Sequence, residues 1–159
     1  MRNRLKAVLI ALAAVAAGTV VVWKLAPDRR PAEQQILDTL GEIQKAVAEK
    51  DLRGTMKHVS ESYHDPTSES KRELTRLAIG GFHEPGTLNV VLQVLGRPEV
   101  QGTTASVDVR VEFSVTTGST PRAAQPFTVR TRWAREKGGW KILAADGYMD
   151  ASEAFEPGT

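Results

Sequence analysis

The sequence contains no cysteine. This absence excludes disulfide bonds, thiolate metal ligands and a lipidated cysteine anchor, and it is compatible with an oxidising compartment. The sequence also contains no internal repeat, no phosphate-binding loop, no glycine-rich nucleotide fingerprint and no nucleophile motif. The motifs of the common nucleotide-dependent and nucleophilic enzymes are therefore missing.

Beyond its first 26 residues the chain has little excess of either charge. It contains 21 Lys and Arg and 19 Asp and Glu in all. Four basic residues and no acidic residue lie in the first segment, which leaves 17 basic against 19 acidic residues, a net charge of −2, for the remainder. A domain with this balance lacks the basic surface that nucleic acids require, so we expect no nucleic-acid partner.

Long hydrophobic runs are absent except at the start of the sequence. Arg2, Arg4 and Lys6 precede an apolar run from Ala7 to Trp23. As a helix this run spans about 25 Å, a little less than the hydrocarbon core of about 30 Å. We therefore interpret residues 1–26 as an uncleaved signal anchor that forms one transmembrane helix.

A cleaved signal peptide is the alternative interpretation of the same segment. Residues 14–16 or 15–17 offer the small side chains that signal peptidase requires. Cleavage there would leave an apolar mature terminus, which favours the anchor.

The basic residues flanking the run give a slight preference for a cytoplasmic amino terminus. We therefore expect a single-pass protein of the bacterial inner membrane with a periplasmic carboxy-terminal part. Residues 27–31 are predicted to be a linker, residues 32–148 one domain and residues 149–159 a flexible tail.

Apolar residues recur at helical spacing in the first part of the predicted domain. In residues 32–50 they form one stripe: Ile36, Leu37, Leu40, Ile43, Ala46 and Val47. Asp51 is a suitable N-cap for a second, short helix. Thr67 or Ser68 can cap a third helix, which we expect Gly80-Gly81 to end. The inward side of this third helix is predicted to carry Leu74, Leu77 and Ala78.

After Pro85-Gly86 the period of the pattern changes to two, and four strands are predicted. Lys137-Gly138-Gly139 indicates the hairpin before the last of them. The sequence therefore predicts an α+β fold, with three N-terminal helices packed on a curved antiparallel sheet of four or more strands. The predicted inward-facing residues are Leu88, Val90, Leu92, Val94, Val107, Val109, Val111, Phe113, Val115, Phe127, Val129, Thr131, Trp133, Trp140, Ile142 and Ala144.

This order of elements resembles the nuclear transport factor 2-like superfamily over residues 32–148. Trp133 and a last strand that begins Gly139-Trp140-Lys141-Ile142 after a Gly-Gly hairpin carry the resemblance. The superfamily includes ketosteroid isomerases, polyketide cyclases and many domains without activity. The resemblance implies a cystatin-like cone with a pocket between sheet and helices, into which the acid and base groups of the enzymes point.

The inner face predicted for this pocket supplies no acid. Its expected lining residues are Val109, Val111, Phe113, Val129, Thr131, Trp133 and Trp140. Isomerases of this type use a pocket Asp as base, with a Tyr and a protonated acid as oxyanion donors. No strand position here provides such an acid, so we expect a non-catalytic pocket without a cofactor that accepts a hydrophobic ligand or is filled by its own side chains.

One cluster, Tyr63-His64-Asp65, has two interpretations. In an enzyme, Asp65 or His64 at the pocket mouth serves as general base and Tyr63 as a donor. In the alternative, Asp65 bonds backbone amides in a turn and Tyr63 packs its ring against the helices.

Two further groups of polar residues occur in the sequence. His58, His64 and His83 match no metal-ligand spacing, so no metal site is expected. The outer sheet face carries Arg110, Glu112, Arg130 and Arg132, which predict either solvated cross-strand pairs or a homodimer interface.

The sequence therefore predicts a membrane-anchored, non-catalytic, extracytoplasmic domain that binds a hydrophobic small molecule or docks protein partners. The alternative is an isomerase, dehydratase or cyclase that uses Tyr63, His64 and Asp65.

Overall fold

The computed structural model describes residues 28–66 and 68–147. The helices are α1 (Ala32–Ala48), α2 (Leu52–Met56) and α3 (Lys71–His83), and the strands are β1 (Thr87–Gln101), β2 (Thr104–Thr117), β3 (Thr120–Ala123), β4 (Phe127–Glu136) and β5 (Gly139–Asp146). The predicted α+β order of three helices followed by an antiparallel sheet is confirmed. The predicted anchor in residues 1–26 and the tail in residues 149–159 lie outside the described residues. Among residues 28–66 and 68–147, no helix has both the length and the apolar character to cross a bilayer.

Helix α1 packs on the sheet because only one side of the helix is apolar. Ile36, Leu40 and Ile43 are buried, whereas the opposite side carries exposed polar residues. Leu37, at the edge of the stripe, is 37% exposed. Pro31 precedes the first turn, where its missing N–H leaves no helical hydrogen bond unmade.

Helix α2 begins where the sequence predicts. The side chain of Asp51 accepts a hydrogen bond from the backbone N–H of Gly54 at 2.9 Å, which satisfies one free amide of the first turn. A Cβ at Gly54 would collide with the Asp51 carboxylate. Glycine at this position therefore allows the cap to close.

Helix α3 departs from the prediction at both ends. Its N-cap is Ser70, whose hydroxyl accepts from the amide of Glu73 at 3.3 Å, and not Thr67 or Ser68. It continues through the two glycines to His83 and ends before Pro85. Proline disfavours helical backbone in the preceding residue, and Glu84 is extended, with φ −58° and ψ 134°.

Helix α3 does not pack on the sheet. Among the described elements it approaches only α2 within 8 Å between Cα atoms, whereas α1 approaches β1 and β5. It has no buried residue. Leu77, predicted to face inward, is 53% exposed, so the prediction that this side is buried is wrong.

The sheet is antiparallel with the order β1-β2-β4-β5, and the short β3 pairs with β2. In the central register, Val94 lies opposite Val109, and Val109 lies opposite Val129. Residues at alternate positions therefore share one face, as the period of two predicts. The buried core on this face joins α1 to the sheet: Ile36, Leu40, Ile43, Ala105, Val107, Val109, Trp133 and Trp140.

Candidate functional site

The loop between α2 and α3 holds a buried tyrosine and carboxylate. Tyr63 is 5% exposed and Asp65 is 2% exposed. The Tyr63 hydroxyl donates a hydrogen bond to Asp65 Oδ2, and the backbone N–H of Ser68 donates to Asp65 Oδ1 at 2.6 Å. The amide of Asp65 in turn donates to the carbonyl oxygen of Ser68 at 3.0 Å. Asp65 therefore closes a turn, as the second of the two interpretations expects.

The same loop is attached to strand β5 by backbone hydrogen bonds. The amide of Ser60 donates to the carbonyl of Ile142 at 2.9 Å, and the amide of His64 donates to that of Leu143 at 3.1 Å. The amide of Ile142 donates to the carbonyl of His58 at 2.8 Å. The side chain of His64 remains exposed. The loop is thus a fixed part of the fold in which Tyr63 and Asp65 come together and His64 points elsewhere.

These contacts limit what Asp65 can do chemically. Both of its carboxylate oxygens already accept a hydrogen bond, and the residue is almost fully buried. A general base must reach the proton that it removes, directly or through one water. Such a role would require Asp65 to release the Ser68 amide or the Tyr63 hydroxyl.

The inner face of the sheet has two parts. In the first, under α1, Val109, Val129, Trp133 and Trp140 are buried in the packed core. Thr131 is buried there too, with its hydroxyl donating to the carbonyl of Val107 at 2.9 Å and accepting from Trp133 Nε1 at 2.8 Å. The polar atom that interrupts this face is therefore already paired.

In the second part, the predicted lining residues Val111 and Phe113 are only half-buried. The rings of Phe113 and Phe127 meet edge to face, with centroids 6.5 Å apart and planes at 86°. We call the half-buried apolar residues at this end of the sheet the open apolar face: Leu88, Val90, Phe113, Val115 and Phe127. A cavity of about 620 Å³ adjoins it at Val115, between the β1 entry at Pro85 and strand β3.

The length of α1 explains why no described helix covers the whole of this face. The apolar stripe of α1 runs from Ile36 to Val47, about 16 Å at 1.5 Å per residue. Strand β2 contains 14 residues, about 46 Å at 3.3 Å per residue. One helix of this length cannot cover the strand, and α3 lies elsewhere. Leu88, Val90, Val115 and Phe127 are predicted from the sequence to lie on the inner face but not to line the pocket. The mismatch in length between α1 and β2 is the signal that could have identified them.

The outer face carries the arginines predicted to lie there, and each pairs within the chain. Arg130 binds Asp108 through two hydrogen bonds of 2.7 Å, and this contact lowers the pKa of Asp108. Arg110 Nε lies 3.0 Å from Glu112 Oε1, and Arg132 Nε lies 3.2 Å from Asp146 Oδ2. These are cross-strand or same-strand pairs on an exposed surface. A homodimer interface on this face stays a prediction.

The three histidines are separate in the structure. His58 is 8% exposed, while His64 and His83 are exposed. Within residues 28–66 and 68–147 no group of three His, Asp or Glu side chains is arranged to hold a metal ion.

Comparisons with known proteins identify the fold. No family model and no curated protein matches the chain. Among solved structures, a protein from Streptomyces avermitilis proposed to be a dehydratase of the nuclear transport factor 2-like family matches with a TM-score of 0.60 and 12% identity, over 70% of this chain and 91% of its own. A protein from Novosphingobium aromaticivorans proposed to be an aromatic ring hydroxylase matches with a TM-score of 0.63 and 15% identity, over 77% and 94%.

A nuclear transport factor 2-like protein of unknown function from Pseudomonas putida KT2440 matches with a TM-score of 0.62 and 14% identity, over 78% of this chain and 92% of its own. At these identities the comparisons show the fold alone. The described domain therefore has the nuclear transport factor 2-like, cystatin-like fold that the resemblance implied.

Proposed function

We propose that this protein is a non-catalytic binding domain whose open apolar face receives a hydrophobic small molecule, and that residues 1–26 hold it at the outer side of a bacterial inner membrane. The observation that carries the proposal is the open apolar face itself. Its aliphatic and aromatic side chains are only partly buried, and none of them belongs to the packed core under α1. A concave apolar surface with few polar groups is the usual form of a hydrophobic ligand site.

The hydrogen bonds of Asp65 support a binding role over a catalytic one. Asp65, the acid that a catalytic role would use as general base, accepts hydrogen bonds from the Ser68 amide and the Tyr63 hydroxyl and is 2% exposed. A binding domain uses such a pair to fix the loop. An enzyme would need the carboxylate to face a substrate.

An isomerase, dehydratase or cyclase is the second candidate. The buried Tyr63–Asp65 hydrogen bond favours it, since a buried donor and carboxylate are the parts of an acid–base site. Two of the similar structures belong to proteins proposed to be enzymes, a dehydratase and a hydroxylase. This candidate requires the Asp65 turn to open when substrate binds.

The binding proposal is tested by thermal denaturation of the full chain in lipid nanodiscs, with and without decanoate as the hydrophobic probe. We expect decanoate to raise the midpoint of unfolding, because a ligand that binds only the folded state stabilises it. Phe127→Gln should abolish the rise. Thr128→Gln, the same new side chain at the next residue on the outer face, should leave it unchanged. An equal rise in both variants would contradict the assignment of the site.

The membrane arrangement is tested separately with reporters fused to the carboxy terminus. A periplasmic reporter such as alkaline phosphatase should be active, and the protein should stay in the membrane after carbonate extraction. Activity of a cytoplasmic reporter alone would contradict the proposed location. Release by carbonate would indicate that the leader is cleaved.

A further inference from the structure

A second concave site lies at the opposite end of β4 from the open apolar face. It is a cleft of about 770 Å³ between one side of α1, the end of α2 and the β4–β5 hairpin. Its residues come from sequence-distant elements, among them Glu42, His58, Arg135 and Trp140. None of these belongs to the open apolar face or to the Tyr63–Asp65 turn.

One buried nitrogen of this cleft lacks a hydrogen-bond partner in the described part of the chain, and a second faces a carboxylate. Trp140 is 2% exposed and its Nε1 has no acceptor. His58 has a side chain that is 10% exposed, and its Nε2 lies 3.2 Å from Glu42 Oε2, within ion-pair distance. Buried donors without acceptors are rare in folded proteins, because burial removes the water that would otherwise bind them.

The lowered pKa of His58 keeps its ring neutral. Burial lowers the pKa of His58, and the neighbouring Lys57 and Lys141 act in the same direction, against the opposite effect of Glu42. In the neutral ring, a proton on Nε2 faces the Glu42 carboxylate favourably, whereas a lone pair there would be repelled by it. The His58 N–H therefore faces the Glu42 carboxylate, and the buried N–H of this cleft that lacks an acceptor among the described residues is that of Trp140.

The charged residues of the cleft leave a surplus of cations on the hairpin side. Arg30 binds Asp28 and Asp38, and Lys57 lies 3.0 Å from Glu42. The remaining lining acid, Glu136, accepts from the Ser60 hydroxyl at 2.5 Å.

Arg135 and Lys137, by contrast, form no salt bridge with any described residue. Arg135 is nevertheless close enough to contribute to lowering the pKa of Asp28 to about 2, an effect due mainly to Arg30. The hairpin therefore presents unpaired positive charge to the cleft.

We propose that this cleft binds a phosphate group, with Trp140 Nε1 as buried donor and Arg135 and Lys137 as cationic partners at the entrance. A phosphate oxygen is the acceptor that the Trp140 N–H lacks. Guanidinium and ammonium groups form the strongest contacts that proteins make with this anion. The phosphate comes either from a free molecule or from an anionic lipid headgroup. The second source follows from the proposed membrane arrangement, since Asp28 in the cleft lies two residues beyond the predicted anchor.

The test uses the indole N–H signals of the full chain, labelled with ¹⁵N-tryptophan in nanodiscs of zwitterionic lipid. Inorganic phosphate should shift the Trp140 signal saturably at concentrations up to about 50 mM, which covers weak millimolar sites. Trp133 is an internal reference, because its indole already donates to Thr131 at 2.8 Å. Sodium chloride at equal ionic strength controls for screening. No shift of Trp140, or an equal shift with chloride, would overturn the proposal.

Two matched variants locate the anion. Arg135→Gln should weaken phosphate binding about fivefold or more, which corresponds to the loss of one charge-assisted hydrogen bond. Arg72→Gln, the same substitution on the exposed surface of α3, should leave binding unchanged. Equal affinities in the two variants would contradict a site at the hairpin. Phe127→Gln should keep the phosphate response, so this test and that of the proposed function fail independently.

Nanodiscs that contain phosphatidylglycerol distinguish the two sources. If the headgroup is the ligand, the Trp140 signal lies at its phosphate-bound position without added phosphate. If a free phosphate is the ligand, the signal is the same in both lipids and moves only on addition. Either result supports the site and names its source.

Discussion

Truncation of Trp133 should be among the most damaging single changes in the chain. The indole is 1% exposed and packs between the sheet and α1, within the core that contains Ile36 and Val109. Replacing a buried tryptophan by alanine removes apolar burial and leaves a cavity, and such changes cost about 3–5 kcal/mol. The loss of its hydrogen bond adds little, because the Thr131 hydroxyl still donates to Val107.

We therefore expect Trp133→Ala to lower the free energy of unfolding by about 3–5 kcal/mol, a large part of the 5–15 kcal/mol typical of a domain. Chemical denaturation followed by circular dichroism measures the loss. Trp133→Phe is the control, since it removes the hydrogen bond but keeps an aromatic ring in the core, and it should cost clearly less. A Trp133→Ala protein within about 1 kcal/mol of wild type would show that the buried face of the sheet is assigned wrongly.

Three further changes test other parts of the structure. Asp51→Ala should cost about 1 kcal/mol in denaturant melts, because it removes the carboxylate that caps α2, and no loss would refute the cap. Arg130→Ala should leave the midpoint of unfolding unchanged, because its pair with Asp108 is exposed; a large drop would indicate a covered interface. The pKa of His58 is lowered in the folded state, so the unfolded chain binds the extra proton, and stability should fall as the pH drops below about 6.5. His58→Gln should reduce that fall, and an identical pH profile would contradict the assigned burial.

The sequence pattern was sufficient for the elements that have one apolar side. The stripe of α1 and the alternation of β2 and β4 each specify a face, and the structure buries those faces together. Asp51 is predictable as an N-cap because a side chain that can accept a hydrogen bond from a backbone amide lies just before an apolar helical pattern. The four strands predicted from the sequence do not include the short β3, although Gly118, whose φ is +63°, lies in the turn before it.

The ends of α3 depended on contacts that a local pattern does not contain. Thr67, Ser68 and Ser70 are all competent caps, but the backbone of Ser68 is committed to the Asp65 turn, so the helix begins after Ser70. Glycine was expected to end the helix, yet Pro85 does so. The position of α3 beside α2 also decides which inner-face residues stay half-exposed. The sequence identifies the face but not the part of it that a helix covers.

The most direct test of the binding proposal is a set of intermolecular nuclear Overhauser effects between decanoate and the full chain in nanodiscs of deuterated lipid. If the proposal is right, the alkyl chain contacts the rings of Phe113 and Phe127 and not the buried ring of Trp133. Contacts to Tyr63 with loss of its hydrogen bond to Asp65, or no contact with either phenylalanine, would contradict it.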